Sequence, residues 1–155
     1  MGMGIENLLG GVPRDQLAVE REISEFRAGR PVVIETADAA LLAAPVEGLD
    51  AAGVGALAGL AAGWARLVLS GPRLHSLGAP DRVAAAIALP RPDLTDIARL
   101  AIDEEAVLEA RPLPLAPGEE MGLRLTHLAA LLPALVVVAL AGGALAEAPV
   151  ARVGA

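Results

Sequence analysis

Apolar positions change period several times along this chain, and each change marks an element. Val12, Val19, Ile23 and Phe26 recur at spacings of seven, four and three, which predicts an amphipathic helix. Pro13 suits its first position, because the missing N–H would be unpaired there in any case. Gly29 supplies a stop, with Arg27 and Arg30 favourable near the carbonyl end. Residues 31–35 are short and β-branched and read as a strand; 36–38 make a turn; 39–44 return. Asp50 caps a helix over 51–62 with Val54, Leu57 and Leu60 or Ala61 inward. A third strand spans 66–70, a short helix 72–77 ends at Gly78, and residues 82–89 alternate as a strand. Asp93 or Thr95 caps a helix through Leu94, Ile97, Leu100 and Ala101. Residues 107–115 are extended and punctuated by Pro112 and Pro114. Met121, Leu125, Leu128 and Leu132 form a helical stripe, 134–140 a buried strand, and 149–153 a short last strand.

The order α, β, β, α, β, short α, β, α, β, α, β predicts an α+β domain, layered α/β/α around a mixed sheet. A length of 155 residues suits one domain, taken as 12–155, behind a flexible leader over 1–11. The leader has no basic region followed by a long apolar run, so it does not read as a signal peptide.

Composition narrows the function classes. The net charge is −7, and all twelve positive side chains are arginine. Trp64 and Phe26 are the only aromatics. An acidic chain without a stacking surface is not expected to bind nucleic acid. The absence of cysteine removes thiolate chemistry and cysteine metal sites and agrees with a cytoplasmic location. Residues 128–146 are uncharged and close to the ~18 residues at which a membrane span has to be considered. Pro133 and the Gly142-Gly143 pair interrupt that run, and no basic cluster orients it, so a helix end followed by a buried strand is the better reading.

Isolated candidates for chemistry are few. Gly53, Gly55 and Gly59 do not lie between a strand and a helix start and are followed by no lysine, so they are not a phosphate loop. His75 and His127 lack the further ligands a zinc ion takes. Ser70 reads as a strand-end cap, not a nucleophile elbow. The run Asp103-Glu104-Glu105 reads as a solvated loop, and Glu119 and Glu120 as acids favoured at a helix N-terminus.

The local wording also resembles a known family. The RAGR phrase at 27–30, the strand–acidic turn–strand–helix order to Gly78, the Arg111-Pro112-Leu113-Pro114-Leu115 segment, and LAALLP at 128–133 before Val136-Val137-Val138 resemble 3,4-dihydroxy-2-butanone 4-phosphate synthase. The GRPVV phrase, the alanine richness and the LLPA ending look closer still to a degenerate form of that domain, found N-terminal to GTP cyclohydrolase II in some bacterial riboflavin-biosynthesis proteins. The resemblance implies the synthase fold, a homodimer, and a possible cyclohydrolase partner domain or protein.

It also implies what is missing. Where that family carries an acidic loop of the type DDEDRENEGD to hold magnesium and a sugar phosphate, this chain has 35–41, ETADAAL. Only Glu35 and Asp38 remain. The GHTEA motif, which gives the family a metal-binding and proton-transferring histidine, aligns with 117–121, PGEEM. Gly118 stands at the histidine and Glu120 at the glutamate. The histidine before the family's FPL element falls near Ala110 or Arg111. A reduced magnesium site would draw on Glu35, Asp38 and Glu120, fewer oxygens than this ion takes. The expectation is a domain with no catalytic or cofactor site, serving a structural and dimerising role beside GTP cyclohydrolase II. The alternatives are a diverged enzyme of the same pathway, acting on a phosphorylated sugar or GTP, and a small membrane-associated protein using 128–146.

Overall fold

Short-range signals place most elements. In the computed structural model, residues 14–141 and 151–154 are described. The elements run α1 (Arg14–Arg27), β1 (Val32–Glu35), β2 (Ala40–Pro45), α2 (Ala51–Leu60), β3 (Ala61–Leu69), α3 (Gly71–Ser76), β4 (Ala85–Ala88), α4 (Leu94–Ile102), α5 (Pro117–Leu128), β5 (Ala134–Leu140) and β6 (Ala151–Gly154). Asp50 accepts from the Gly53 amide at 2.7 Å, a cap worth about 1 kcal/mol. Asp93, not Thr95, is the cap of α4. The expected leader and Val12 lie outside the described residues.

The six strands form one mixed sheet in the order β4-β3-β5-β2-β1-β6. Neighbours are antiparallel except β1 and β6, which run parallel. Alternation sends the side chains of β1 to β5 to two cores. Val33, Leu42, Leu67, Ile87 and Val136 meet α2, α3 and α4 through Leu57, Leu74 and Ile97. Val32, Ile34, Ala43, Val68 and Val137 meet α1 and α5 through Phe26, Leu123 and Leu125. The result is the expected α/β/α sandwich. Buried on both faces, β5 can be apolar throughout instead of alternating.

Arginines tie neighbouring helices of the same layer at their ends. Arg73 donates to the carbonyls of Leu100 at 2.8 Å and Asp103 at 2.7 Å, satisfying the C-terminus of α4. Arg27 does the same for Ala129. The Glu47 carboxylate accepts from the Leu132 amide at 2.7 Å, pinning the chain as it enters β5.

Several expectations need correction. α5 ends at Leu128, not 132, because Ala130 turns to φ 56°. The Ala130 amide then donates to the His127 carbonyl and the Leu131 amide to that of Thr126, closing the helix without a glycine. Leu128, expected inward, is 51% exposed. The buried face of α5 instead runs through Gly118, Gly122, Leu125 and Ala129. Glycines at two of those positions let the helix settle onto the sheet: a Cβ on Gly122 would fall 2.5 Å from Leu135 Cδ1. In α1, Val19 is exposed and Glu22 buried, the reverse of the simple stripe. α2 stops at Leu60 and β3 begins immediately, well before residue 66. The 82–89 strand shortens to four residues. Beyond it, the 107–115 segment contributes a single bridge, Leu113 to Ala86, because Pro112 and Pro114 on either side have no N–H to pair. No described helix is long and apolar enough to cross a membrane, and 134–140 of the uncharged run is a strand within the sheet.

Candidate functional site

The candidate site is the face of the sheet beneath the N-terminus of α5, where the β1–β2 turn and the start of that helix meet. The turn is short and self-contained. The Thr36 amide donates to the Ala39 carbonyl at 2.8 Å, and the Ala39 amide to Thr36 Oγ1 at 3.1 Å. Glu35 is exposed at the end of β1, and Asp38 is exposed at the tip.

Pro117 opens α5, and the carbonyl of Ala116 accepts from the amides of Glu119 and Glu120 at 3.0 Å. Gly118 is buried against the hairpin. A Cβ built there would fall 2.6 Å from Leu41 Cδ1 and 3.4 Å from Thr36 Cγ2. Leu41, itself buried, would have to turn away before any side chain could enter. The position aligned with the family's histidine is therefore filled by the hairpin.

Its neighbour Glu119 carries the most distinctive polar contact in this region. The side chain is fully buried. Oε1 accepts from the Ala116 amide at 3.0 Å, a capping interaction, and from Arg66 Nη1 at 2.9 Å. Oε2 has no hydrogen-bond partner. Arg66 reaches up from the centre of β3, a quarter exposed, and its guanidinium lies 4.6 Å from the centroid of the Trp64 ring. Burial of two charges is tolerated because each neutralises the other and the carboxylate gains a second donor. Glu119 does sit at the helix N-terminus, where it was expected to be favoured, and Arg66 adds a buried partner that this reading did not include. The sequence did hold a signal, an arginine between the buried positions 65 and 67 of an otherwise apolar strand, but its partner is 53 residues away.

Glu120 points the other way. It is exposed on the rim of a groove of about 550 Å³ with Val83, Leu115, Leu123, Arg124 and His127. Ala110 and Arg111 are exposed on the extended segment, Arg111 beside a second groove that also includes Asp81. His75 and His127 are exposed on α3 and α5. Among the described residues no three His, Asp or Glu side chains converge. Glu35, Asp38 and Glu120 therefore do not assemble a three-ligand set, and they do not fit the octahedral oxygen cage of magnesium. The surface pair of Glu25 and Arg30 lies apart from this region. Arg30 hydrogen-bonds the Glu25 carboxylate and holds its pKa below the ordinary value.

No family model and no curated protein matches the chain. Solved structures do. A 3,4-dihydroxy-2-butanone 4-phosphate synthase of Candida albicans superposes with a TM-score of 0.65 at 16% identity, covering 88% of this chain and 92% of the other. This is the fold of that synthase. The cation-free form of a second synthase gives 0.63 at 18% identity, over 79% of this chain and 74% of the other. RibBX, a two-domain synthase from A. baumannii, gives 0.62 at 18% over 79% of this chain, which spans only 47% of its length. A further synthase structure holds two magnesium ions and gives 0.61 at 17% identity. At these identities the shared property is the fold. The synthase fold here carries a closed Gly118 position and a buried Glu119–Arg66 pair where the resemblance had placed the family's motif.

Proposed function

We propose that this chain is a catalytically silent synthase-like domain of riboflavin biosynthesis, cytoplasmic, which dimerises and supports a GTP cyclohydrolase II unit. The observation that carries the silence is Gly118. The skeletal rearrangement implied by the resemblance requires a proton-transferring group beside bound metal. In this chain that position is occupied by packing, with Leu41 and Thr36 against the helix backbone. The acids that remain, Glu35, Asp38 and Glu120, are exposed and dispersed. Self-association is carried over from the resemblance to the synthase family.

Isothermal titration with ribulose 5-phosphate, with and without magnesium, tests the silence. No binding heat is expected. Magnesium-dependent heat, or consumption of the sugar phosphate, would overturn the reading in favour of a diverged enzyme. Sedimentation of the purified chain tests the structural role. A dimer at micromolar concentration is expected, and co-sedimentation with GTP cyclohydrolase II would extend it. A monomer at every concentration that also fails to bind the cyclohydrolase would remove the role.

A further inference from the structure

The connection between α4 and α5 crosses the edge of the sheet, where β4 is the outermost strand. The chain is buried at Ala106 and again at Gly118, but no residue from 107 to 117 is buried. Pro112 and Pro114 have no N–H to give, so the segment meets β4 at Leu113 alone. The Ala86 amide donates to the Leu113 carbonyl at 2.9 Å, and the Leu113 amide to the Ala86 carbonyl at 2.8 Å. One further bond, from the Leu108 amide to the Leu77 carbonyl at 2.9 Å, completes the backbone ties of residues 107–115 to the rest of the described fold. Among the described residues, the exposed Glu109 and Arg111 form no ion pair.

The side chains of this segment straddle the sheet edge. Leu108 packs against the core beneath α2, α3 and α4, and Leu113 and Leu115 against the core beneath α1 and α5, each only partly buried. Open grooves flank them. One of about 550 Å³ runs past Pro114 and Leu115, and one of about 580 Å³ past Pro112 and Leu113; Val83 and Ala84 line both. A smaller cavity of about 190 Å³ adjoins Leu108 and Glu109. Atoms facing those spaces have no partners there, so the segment gains little dispersion for the conformational freedom it gives up. Few buried apolar contacts and few backbone bonds are the conditions for opening below the global stability. On β4 the boundary falls between adjacent residues. The Leu89 amide donates to the Ala65 carbonyl at 2.8 Å, and Ile87, two residues earlier, faces β3 in the same way, whereas Ala86 faces the crossing segment.

We infer that residues 107–115 are a detachable strap, which releases β4 as one unit while the sandwich stays folded. Release bares the Ala86 amide and carbonyl and joins the grooves on either side of Pro114 into one trough along the strand. Closed, the strap keeps an alanine-rich edge from pairing with other chains; open, it makes that edge available. This device does not depend on the silent-domain reading and stands or falls separately.

The test is amide hydrogen exchange of the full chain, followed by NMR at several urea concentrations below the unfolding transition. Ala86, Leu108 and Leu113 should share one protection factor, about a hundredfold or more below those of Ile87 and Leu89, with little dependence on urea. Leu113→Ala trims a half-buried side chain but keeps the bridge. It should lower the protection of all three amides about tenfold, including Leu108, which is bonded to a different element, and leave Ile87 and Leu89 unchanged. Equal protection of Ala86 and Leu89 would overturn the inference, because the segment would then open only with the sheet. So would a Leu108 amide unmoved by Leu113→Ala, because the two ties would then break independently. The comparison of Ala86 with Leu89 is made on the unmodified chain and decides the matter without the variant.

Discussion

Arg66→Met isolates the energetics of the ion pair under α5. In the folded chain Glu119 is fully buried, and Oε1 alone takes two hydrogen bonds, from Arg66 at 2.9 Å and Ala116 at 3.0 Å. Methionine keeps most of the arginine's apolar stem but leaves the carboxylate with one neutral donor and no counter-charge. Removing one partner of a buried pair costs about 3–5 kcal/mol. Because Arg66 is a quarter exposed, water can partly replace it, which points to the lower end, about 3 kcal/mol. The double variant Arg66→Met, Glu119→Leu removes both charges together. It forfeits the helix cap, about 1 kcal/mol, but leaves no stranded charge. Urea denaturation at neutral pH should therefore find the double variant more stable than Arg66→Met alone, by about 2 kcal/mol. If Arg66→Met loses less than about 1 kcal/mol, or if the double variant is the less stable, the pair is not a dominant constraint on α5 and the reasoning fails.

Further outcomes follow from backbone geometry and surface charge. Ala130 sits at φ 56°, where an L-residue with a Cβ costs ~1–2 kcal/mol, and glycine returns ~0.4–1 kcal/mol of that as unfolded-state entropy. Ala130→Gly should thus stabilise by about 0.5–1 kcal/mol in the same urea assay, and a loss would show that the turn is held by its side chain. Gly48→Ala and Gly55→Ala should move in opposite directions. A Cβ on Gly48 would lie 2.6 Å from Gly29 Cα, an overpacking cost of about 1–3 kcal/mol, whereas Gly55 has open space on a helix and should gain up to ~1 kcal/mol. For Glu25, Arg30 lowers the folded pKa, so the pair's contribution is present above the unfolded carboxyl value and disappears as pH falls through the lowered one. Arg30→Ala should raise the Glu25 midpoint in an NMR titration, and an unchanged midpoint would assign the shift elsewhere.

Much of this architecture was legible in the linear pattern. The period changes place the helices and strands in order with one strand too many, at 107–115, and 134–140 was marked as a strand because an uncharged run broken by Pro133 and two glycines reads as one. The departures at 118 and in the β1–β2 turn were visible as residue types. The β1–β2 turn proved as short as the sequence implied. Less legible was which side of α5 faces inward. The leucine spacing pointed to Leu128, but Gly118 and Gly122 determine the face, since absence of a side chain contributes nothing to a hydrophobic stripe yet decides how close the helix can come.

The sequence by itself determined the order of elements, the alternation that gives the sheet two covered faces, and the residues available for chemistry. These depend on neighbours within a few positions, which is the range over which period, caps and turn residues act. Only the tertiary structure decided that Glu119 is buried on Arg66 and that Gly118 is closed by Leu41. Each of those joins segments distant in the chain. Their pairing depends on how closely α5 and the strand ends approach one another across the sheet, and local propensity does not encode that distance.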